Sequence, residues 1–237
     1  MILVTCTTAR TTKEGSRPMS DCPLCHSPEV TPFAEVKGRR YFECATCLLV
    51  FMDPEQRLDA ASERERYTTH ENDPQDIRYR AFLDQVVQPL RQYLAPGAEG
   101  LDYGSGPGPT LAFMLAELGF PTVIYDPFFA PGRGVLAARY DFITSTEVAE
   151  HFYAPADEFE RFDQMLRPGG WLGILTTTRD PERAFATWNY VRDITHVCFY
   201  HARTMEWIAE RFGWTLVVPS KNVALFQKRA NPAVVSV

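Results

Sequence analysis

The chain has 237 residues, 45% hydrophobic and 13% aromatic, with a formal net charge of −6. That length accommodates one full α/β domain and a small module, and the apolar content excludes a disordered chain. The acidic balance argues against indiscriminate binding to phosphate backbones, which needs a basic face. No apolar run approaches the ~20 residues of a membrane-spanning helix.

Residues 1–19 are Thr-rich and without period, with Ile2-Leu3-Val4 as their apolar run, and are expected to be a disordered leader rather than an export signal. A chain that is not exported is expected in the cytoplasm, where thiols stay reduced. Its six cysteines are then free or metal-bound.

Residues 20–53 carry Cys22-Pro23-Leu24-Cys25 and Cys44-Ala45-Thr46-Cys47, two CxxC pairs separated by 18 residues. Each pair makes a knuckle that aims two thiolates at one ion, and four thiolates at ~2.3 Å form the tetrahedral site zinc prefers. Pro32–Val36, Arg39–Glu43 and Leu48–Met52 read as short strands, with Lys37-Gly38 as a turn. Cys22, Cys25, Cys44 and Cys47 are therefore the expected ligands of a structural zinc ribbon. Four cysteines leave no open position for catalysis. Cys6 and Cys198 have no partner by spacing, and His26 reads as a surface residue.

Residues 54–97 are charged, then amphipathic. The helical rhythm of 76–94 predicts a helix that Pro89 kinks or divides and that Ala95-Pro96-Gly97 ends. The segment is expected to be a helical connector, or a lid over a cleft.

The segment 98–229 alternates strands and helices, and residues 230–237 are expected to be a flexible tail. Leu101-Asp102-Tyr103-Gly104-Ser105-Gly106-Pro107-Gly108 ends an apolar strand in an acid and then places glycines at alternate positions. Such a turn leaves backbone bare for a ligand at the start of a helix. The acid before it suits a cationic amine, the group that S-adenosylmethionine (SAM) carries and a nicotinamide dinucleotide lacks. Thr122–Asp126 is a second strand ending in an acid, a position that accepts hydrogen bonds from a ribose diol. The competing reading of Asp126 is a turn-starting residue before Pro127. A third strand at Asp141–Thr146, a helix at Ala156–Leu166, a tight turn at Arg167–Gly170 and a fourth strand at Trp171–Thr176 follow. A polar and aromatic loop at Val191–Tyr200, a helix at Thr204–Phe212 and an antiparallel pair at Thr215–Val218 and Asn222–Gln227 close the chain.

Asp102–Gly108, Asp126, Asp141–Phe152 with its Glu147-Val148-Ala149-Glu150-His151-Phe152 run, and Leu166–Gly170 occur in the order of the signature motifs of class I SAM-dependent methyltransferases. The chain resembles that family over about residues 98–228. Its cysteine ribbon is similar to the module carried by a subset of bacterial members, and Thr195-His196 followed by Phe199 resembles a segment of quinol O-methyltransferase-like members. The resemblance implies a Rossmann-like α/β fold: a mostly parallel sheet with an antiparallel C-terminal strand, joined to the small ribbon. It implies SAM as methyl donor, with Asp102, Tyr103, Gly104, Ser105, Gly106 and Gly108 around the methionine end. Asp126 falls to the ribose, Pro127 and Phe128 to the adenine, and the backbone about Thr146 and Glu147 to the amino acid end. One departure is clear. Only 15 positions separate Asp126 from Asp141, too few for a full helix and strand, so a trimmed sheet edge without an adenine-reading side chain is expected.

Methyl transfer to oxygen or nitrogen needs alignment and often a base. His196 is the first candidate, with His151 and Asp193 behind it and Glu150 and His201 further back. Phe185, Trp188, Tyr190, Phe199 and Tyr200 read equally as an aromatic acceptor pocket or as ordinary core. The strand ending at Thr146 lacks the Asn/Asp-Pro-Pro-aromatic segment of many base amino-group methyltransferases. No cysteine lies near it for covalent attack on a pyrimidine. The expected partner is a small-molecule methyl acceptor, aromatic if that pocket exists, with O-methylation foremost. The alternatives are methylation of RNA or protein with the ribbon as recognition module, and a non-catalytic module that binds SAM and zinc. Nothing in the sequence sets an oligomeric state.

Overall fold

The computed structural model describes residues 20–68 and 73–230; the expected leader at 1–19 and residues 231–237 of the expected tail lie outside it. Two sheets organise the chain. The first begins with β1 (Val30–Val36) and β2 (Arg39–Cys44), an antiparallel hairpin turned by Lys37 and Gly38 in left-handed conformations (φ 51° and 78°). β3 (Val50–Met52) pairs with β2, and all three of its residues are buried. This sheet is completed from the far end of the chain. β8 (Cys198–Phe199) pairs with β3, giving the order β1-β2-β3-β8. A loop was expected at Val191–Tyr200. Part of it is a strand because the edge of β3 needs a partner for its backbone groups, and the Met52 N–H also donates to the Val197 carbonyl at 2.8 Å.

Between the sheets, α1 (Ala60–Tyr67) starts at Asp59, whose carboxylate accepts from the Ala61 and Ser62 amides; no side chain of this helix is buried. α2 (Ile77–Leu90) is of another kind. Leu83, Val86, Val87 and Leu90 form one apolar stripe, packed on α3 (Thr110–Glu117) and the large sheet. Pro89 falls in the last turn, where the chain tightens into a 3-10 turn at Arg91–Tyr93.

The large sheet has the order β5-β4-β6-β7-β10-β9. β4 (Gly100–Tyr103), β5 (Thr122–Tyr125), β6 (Tyr140–Thr146) and β7 (Leu166–Leu175) run parallel. β9 (Thr215–Ser220) and β10 (Val223–Gln227) add an antiparallel pair. α4 (Pro155–Met165) opens with proline and two acids in its first turn and buries Phe159, Phe162 and Met165. α5 (Ala202–Phe212) runs from a His201–Thr204 capping box to Gly213 at φ 66°.

The expected α/β sheet with antiparallel C-terminal strands is present, and so is the trimmed edge. Only a 3-10 turn at Arg133–Ala137 lies between β5 and β6, and β5 is the edge strand. The tight turn expected at Arg167–Gly170 is instead the start of β7. The Gly169 N–H donates to the Lys228 carbonyl and the Lys228 N–H to Gly170, so pairing extends the ladder through these glycines.

One apolar cluster runs through both sheets. Phe185, in the segment after β7, packs on the first sheet, its ring 5.2 Å from Phe33, and 5.1 Å from both Tyr41 and Phe199. Arg179 bonds Glu43 at 2.5 Å beside it. Phe185, Trp188, Phe199 and Tyr200 are buried in the core with Tyr190 half-buried against them; a cavity of about 190 Å³ touches Phe185 and Trp188, and none of the five lines the larger cleft described below.

Candidate functional site: a cleft at the carboxyl edge of the sheet

β4, β5 and β6 end side by side, and the loops that follow them enclose a cleft of about 660 Å³, inside the ~300–1,000 Å³ range of small-molecule sites. Parallel strands place all their carboxyl ends on one edge, where open α/β sheets bind ligands. Asp102, Tyr103, Gly104, Ser105, Gly106, Gly108, Asp126, Pro127, Phe128, Thr146, Glu147, His151, Asp193 and His196 all line this single cleft.

The floor is the glycine loop. Gly104 has φ 82°, and a Cβ built there would lie 2.4 Å from Val148 Cγ2; Gly106 has φ 64°. A side chain at Gly104 is excluded by both backbone and neighbour, so the loop offers bare backbone to a ligand. Asp102 lies beneath it, 2% exposed, and accepts from the Thr144 hydroxyl at 3.2 Å. Burial pushes its carboxyl up to about 7. A cation brought beside it would return it to the charged form.

Asp126 serves its own turn. Oδ1 accepts from the Phe128 and Phe129 amides at 2.8 and 2.9 Å, and Oδ2 from the Gly106 amide at 3.0 Å. The turn reading of this residue is present in the structure, and the same bonds lock the glycine loop against β5. Each carboxylate oxygen has more than one acceptor site, so the ribose role remains open to it.

A further part of the cleft wall is polar and largely buried. After β6 the backbone turns through Glu147 at φ 53° into a 3-10 turn at Ala149–His151. Glu150 is fully buried and accepts from the Thr176 hydroxyl at 2.8 Å and the Tyr190 hydroxyl at 2.5 Å. Burial raises its pKa, and burial together with the Glu150 charge pushes Glu147 up to about 8. The rings of His151 and His196 lie 4.8 Å apart. His151 Nδ1 is 3.0 Å from the Thr195 carbonyl and His196 Nδ1 is 2.8 Å from the Tyr190 carbonyl. Burial lowers the pKa of His196, which favours the neutral ring.

Asp193 faces the cleft, but its Oδ1 accepts from the Thr195 amide at 3.0 Å and the Thr195 hydroxyl at 2.7 Å. It shapes the loop that carries His196. His201 is not in the cleft; its Nδ1 accepts from the Arg203 amide as the cap of α5.

The remaining wall comes from the 54–97 segment, where Glu63, Tyr67, Tyr79 and Phe82 face the cleft. Tyr67 stands edge-on to His151 with ring centres 5.4 Å apart, and tilted to Phe128 at 5.8 Å. With Phe129 and Phe152 these rings supply the aromatic lining that was sought at 185–200. The sequence offered this connector as a lid over a cleft; which of its rings face inward was not legible, because helical spacing does not tell which sheet edge a connector overhangs. Glu150 stands further back among the sequence's candidate bases; its adjacency to His151 after a strand end is the signal that it belongs to the site.

The four cysteines of the module converge. Cys22 Sγ is 3.6 Å from Cys47 Sγ and Cys25 Sγ is 3.4 Å from Cys44 Sγ. All four sulfurs lie within 4.8 Å of one another. Tetrahedral zinc at ~2.3 Å from each thiolate implies sulfurs about 3.8 Å apart, whereas a disulfide needs ~2.05 Å. The donor set fits zinc. Cys198 is buried away from this group, its thiol donating to the Phe152 carbonyl at 3.2 Å, and His26 is exposed.

The profile of a methyltransferase-domain family matches residues 76–218. The chain belongs to that family. A curated relative, the ubiquinone biosynthesis O-methyltransferase of Leptothrix cholodnii, is 40% identical over 45 residues, covering 19% of this chain and 19% of that protein. The match thus spans about a fifth of the relative's length. Among solved structures, Burkholderia thailandensis 1,6-didemethyltoxoflavin-N1-methyltransferase, with bound 1,6-didemethyltoxoflavin and S-adenosylhomocysteine, is similar at TM-score 0.51 and 17% identity. The similarity covers 84% of this chain and 99% of that one. Magnesium protoporphyrin IX methyltransferase from Synechocystis gives TM-score 0.48 at 13% identity over 72% and 95% of the two chains. At 17% identity the likeness to the Burkholderia structure is one of fold.

In methyltransferase terms the cleft suits SAM. The bare glycine loop admits a ligand against its backbone, and Asp102 is a buried acid for which no lysine or arginine partner is found among the described residues. The resemblance to class I SAM-dependent methyltransferases is borne out by family and fold, and the cysteine cluster supports the ribbon. No helix among the described residues is long and apolar enough to cross a membrane.

Proposed function

We propose that this methyltransferase moves the methyl group of SAM to a hydroxyl oxygen of a small, aromatic-bearing acceptor. The observation that carries the reading is that one cleft joins the glycine loop and Asp102 to the Glu150, His151 and His196 cluster. Bound SAM supplies an electrophilic methyl on a sulfonium. Asp102 and the Gly104–Gly108 backbone hold its methionine end, Asp126 meets the ribose, Pro127 and Phe128 flank the adenine, and the backbone at Thr146 and Glu147 meets the amino acid end. The acceptor lies between that end and the imidazoles, with Tyr67, Tyr79 and Phe82 covering it from the connector. An oxygen lone pair forms the new C–O bond as the C–S bond breaks, its electron pair going to sulfur; the hydroxyl proton must leave. His196 leads in activating that hydroxyl, with His151 beside it and Asp193 fixing the loop. Much of the rate comes from alignment, worth up to ~7–11 kcal/mol in favourable cases. Residues 20–53 are read as the zinc ribbon, 54–97 as connector and cover, and 98–229 as the transfer domain. The ribbon's shared sheet with β8 supports a structural role over recognition of RNA or protein.

The test pairs calorimetry with a transfer assay. Full-length protein is expected to bind SAM and S-adenosylhomocysteine, and to label phenolic or aliphatic hydroxyls from methyl-labelled SAM. His196→Asn is expected to keep SAM binding and to slow single-turnover transfer at least tenfold. Absence of SAM binding, or label found only on nitrogen or carbon, contradicts the proposal.

A further inference from the structure

Glu150, His151 and His196 offer one ligand-capable atom each, and the three atoms lie within 4.8 Å of one another. The two rings are held alike, each with Nδ1 on a backbone carbonyl, at 3.0 Å for His151 and 2.8 Å for His196. A carbonyl only accepts, so Nδ1 carries the proton of the neutral ring and Nε2 keeps the lone pair. Imidazoles that ligate metals are anchored in this way, by a hydrogen bond from the other nitrogen.

Glu150 is oriented likewise. Its two oxygens accept from the Thr176 and Tyr190 hydroxyls, which are neutral donors. Glu147, three residues earlier, has its Oε1 buried without a hydrogen-bond partner. Among the described residues no lysine or arginine pairs with either carboxylate, yet Glu150 is fully buried. Buried carboxylates without a basic partner are found neutralised, paired or bound to metal. Three atoms that share one ion at ~2.1 Å each lie about 3.0–3.6 Å from one another, so atoms now within 4.8 Å close in by about an ångström on binding.

We propose that Glu150, His151 and His196 hold a divalent metal cation at the acceptor end of the cleft, with Glu147 balancing its charge, and that this cation takes the acceptor's hydroxyl as a ligand. The proposal rests on the reading of this cleft as the methyl-transfer site. Two imidazoles and a carboxylate suit Mn²⁺, Fe²⁺, Co²⁺ or Zn²⁺, and three protein ligands leave positions open. A hydroxyl bound there loses its proton to water near neutral pH, and His196 then acts as a ligand. The site is unlike the four-thiolate centre, which is closed and sulfur-only.

The test uses full-length protein whose ribbon zinc has been quantified, titrated with Mn²⁺ without SAM or acceptor and followed by electron paramagnetic resonance. The expected result is one Mn²⁺ per chain with the zinc retained, and binding at least tenfold weaker in His151→Asn and His196→Asn, each checked for folding by circular dichroism. His151 is only partly buried, so that variant keeps the test decisive if His196→Asn or Glu150→Gln fails to fold. Absence of any Mn²⁺, Co²⁺ or second Zn²⁺ equivalent overturns the proposal, as does binding unchanged in both histidine variants. Full methyl transfer after chelation that spares the ribbon zinc also overturns it while leaving the transfer reading intact. Metal binding without any transfer leaves the site standing and removes that reading.

Discussion

The Met52 amide donates to the Val197 carbonyl at 2.8 Å, so the last strand of the cysteine module is hydrogen-bonded to the residue that follows His196. β3 and β8 continue that contact through Val50–Phe199 and Phe51–Cys198. Metal in the ribbon and order in the loop beside the cleft are thus mechanically linked. Stripping zinc, or Cys44→Ala, is expected to remove amide hydrogen-exchange protection from Val197–Phe199 together with Val50–Met52. Protection at Val197–Phe199 that survives while the ribbon opens contradicts the linkage.

The Asp102 carboxyl, pushed up to about 7 by burial, gives a pH dependence of definite sign. Below that value the folded protein holds a proton there, and a neutral acid attracts a cationic amine poorly. SAM affinity is therefore expected to rise from pH 5 to pH 7, and Asp102→Asn to weaken binding and flatten the slope in calorimetry. Stability moves the other way. The folded state keeps a proton that the unfolded chain releases near 3.8, so this residue's contribution falls as pH rises between about 4 and 7 and is level above.

Gly104→Ala combines left-handed backbone with a collision against Val148. A loss of about 1–3 kcal/mol is expected from backbone strain of this kind, measured by denaturant unfolding, with SAM binding impaired. Adding Val148→Ala relieves the collision and restores part of the stability; the φ strain stays. Full recovery in the double variant sinks the strain argument.

Phe185 is 8% exposed and packs Phe33 and Tyr41 of the module against Phe199. Phe185→Ala is expected to cost about 3–5 kcal/mol, as for other buried aromatic truncations. One shared core predicts a single unfolding transition that shifts as a whole. A separate early transition of the module in this variant points to two independent cores.

The determinants visible in the chain are those whose partners lie close in sequence. Gly104, Gly106 and Asp102 state their turn within five residues, and Cys22–Cys25 and Cys44–Cys47 state theirs within four each. The buried runs of β4 and β6 and the stripe of α2 follow from local period. Asp126 was legible as either ligand acid or turn acid, and its bonds to Gly106, Phe128 and Phe129 show the turn.

Tertiary structure alone decided what depends on distant pairing. His151 and His196 are 45 positions apart and meet because the 193–197 loop is pinned by β8 on the module's sheet. Tyr79 reaches the cleft because the apolar stripe of α2 docks on α3 and β7, and Tyr67 meets it there from the end of α1. Cys198 and Phe199 became a strand because β3 carried an unpaired edge. Hydrophobic period and turn chemistry are written in neighbouring residues. Which edge accepts which strand, and which side chains then share a wall, is set by burial summed over the whole chain.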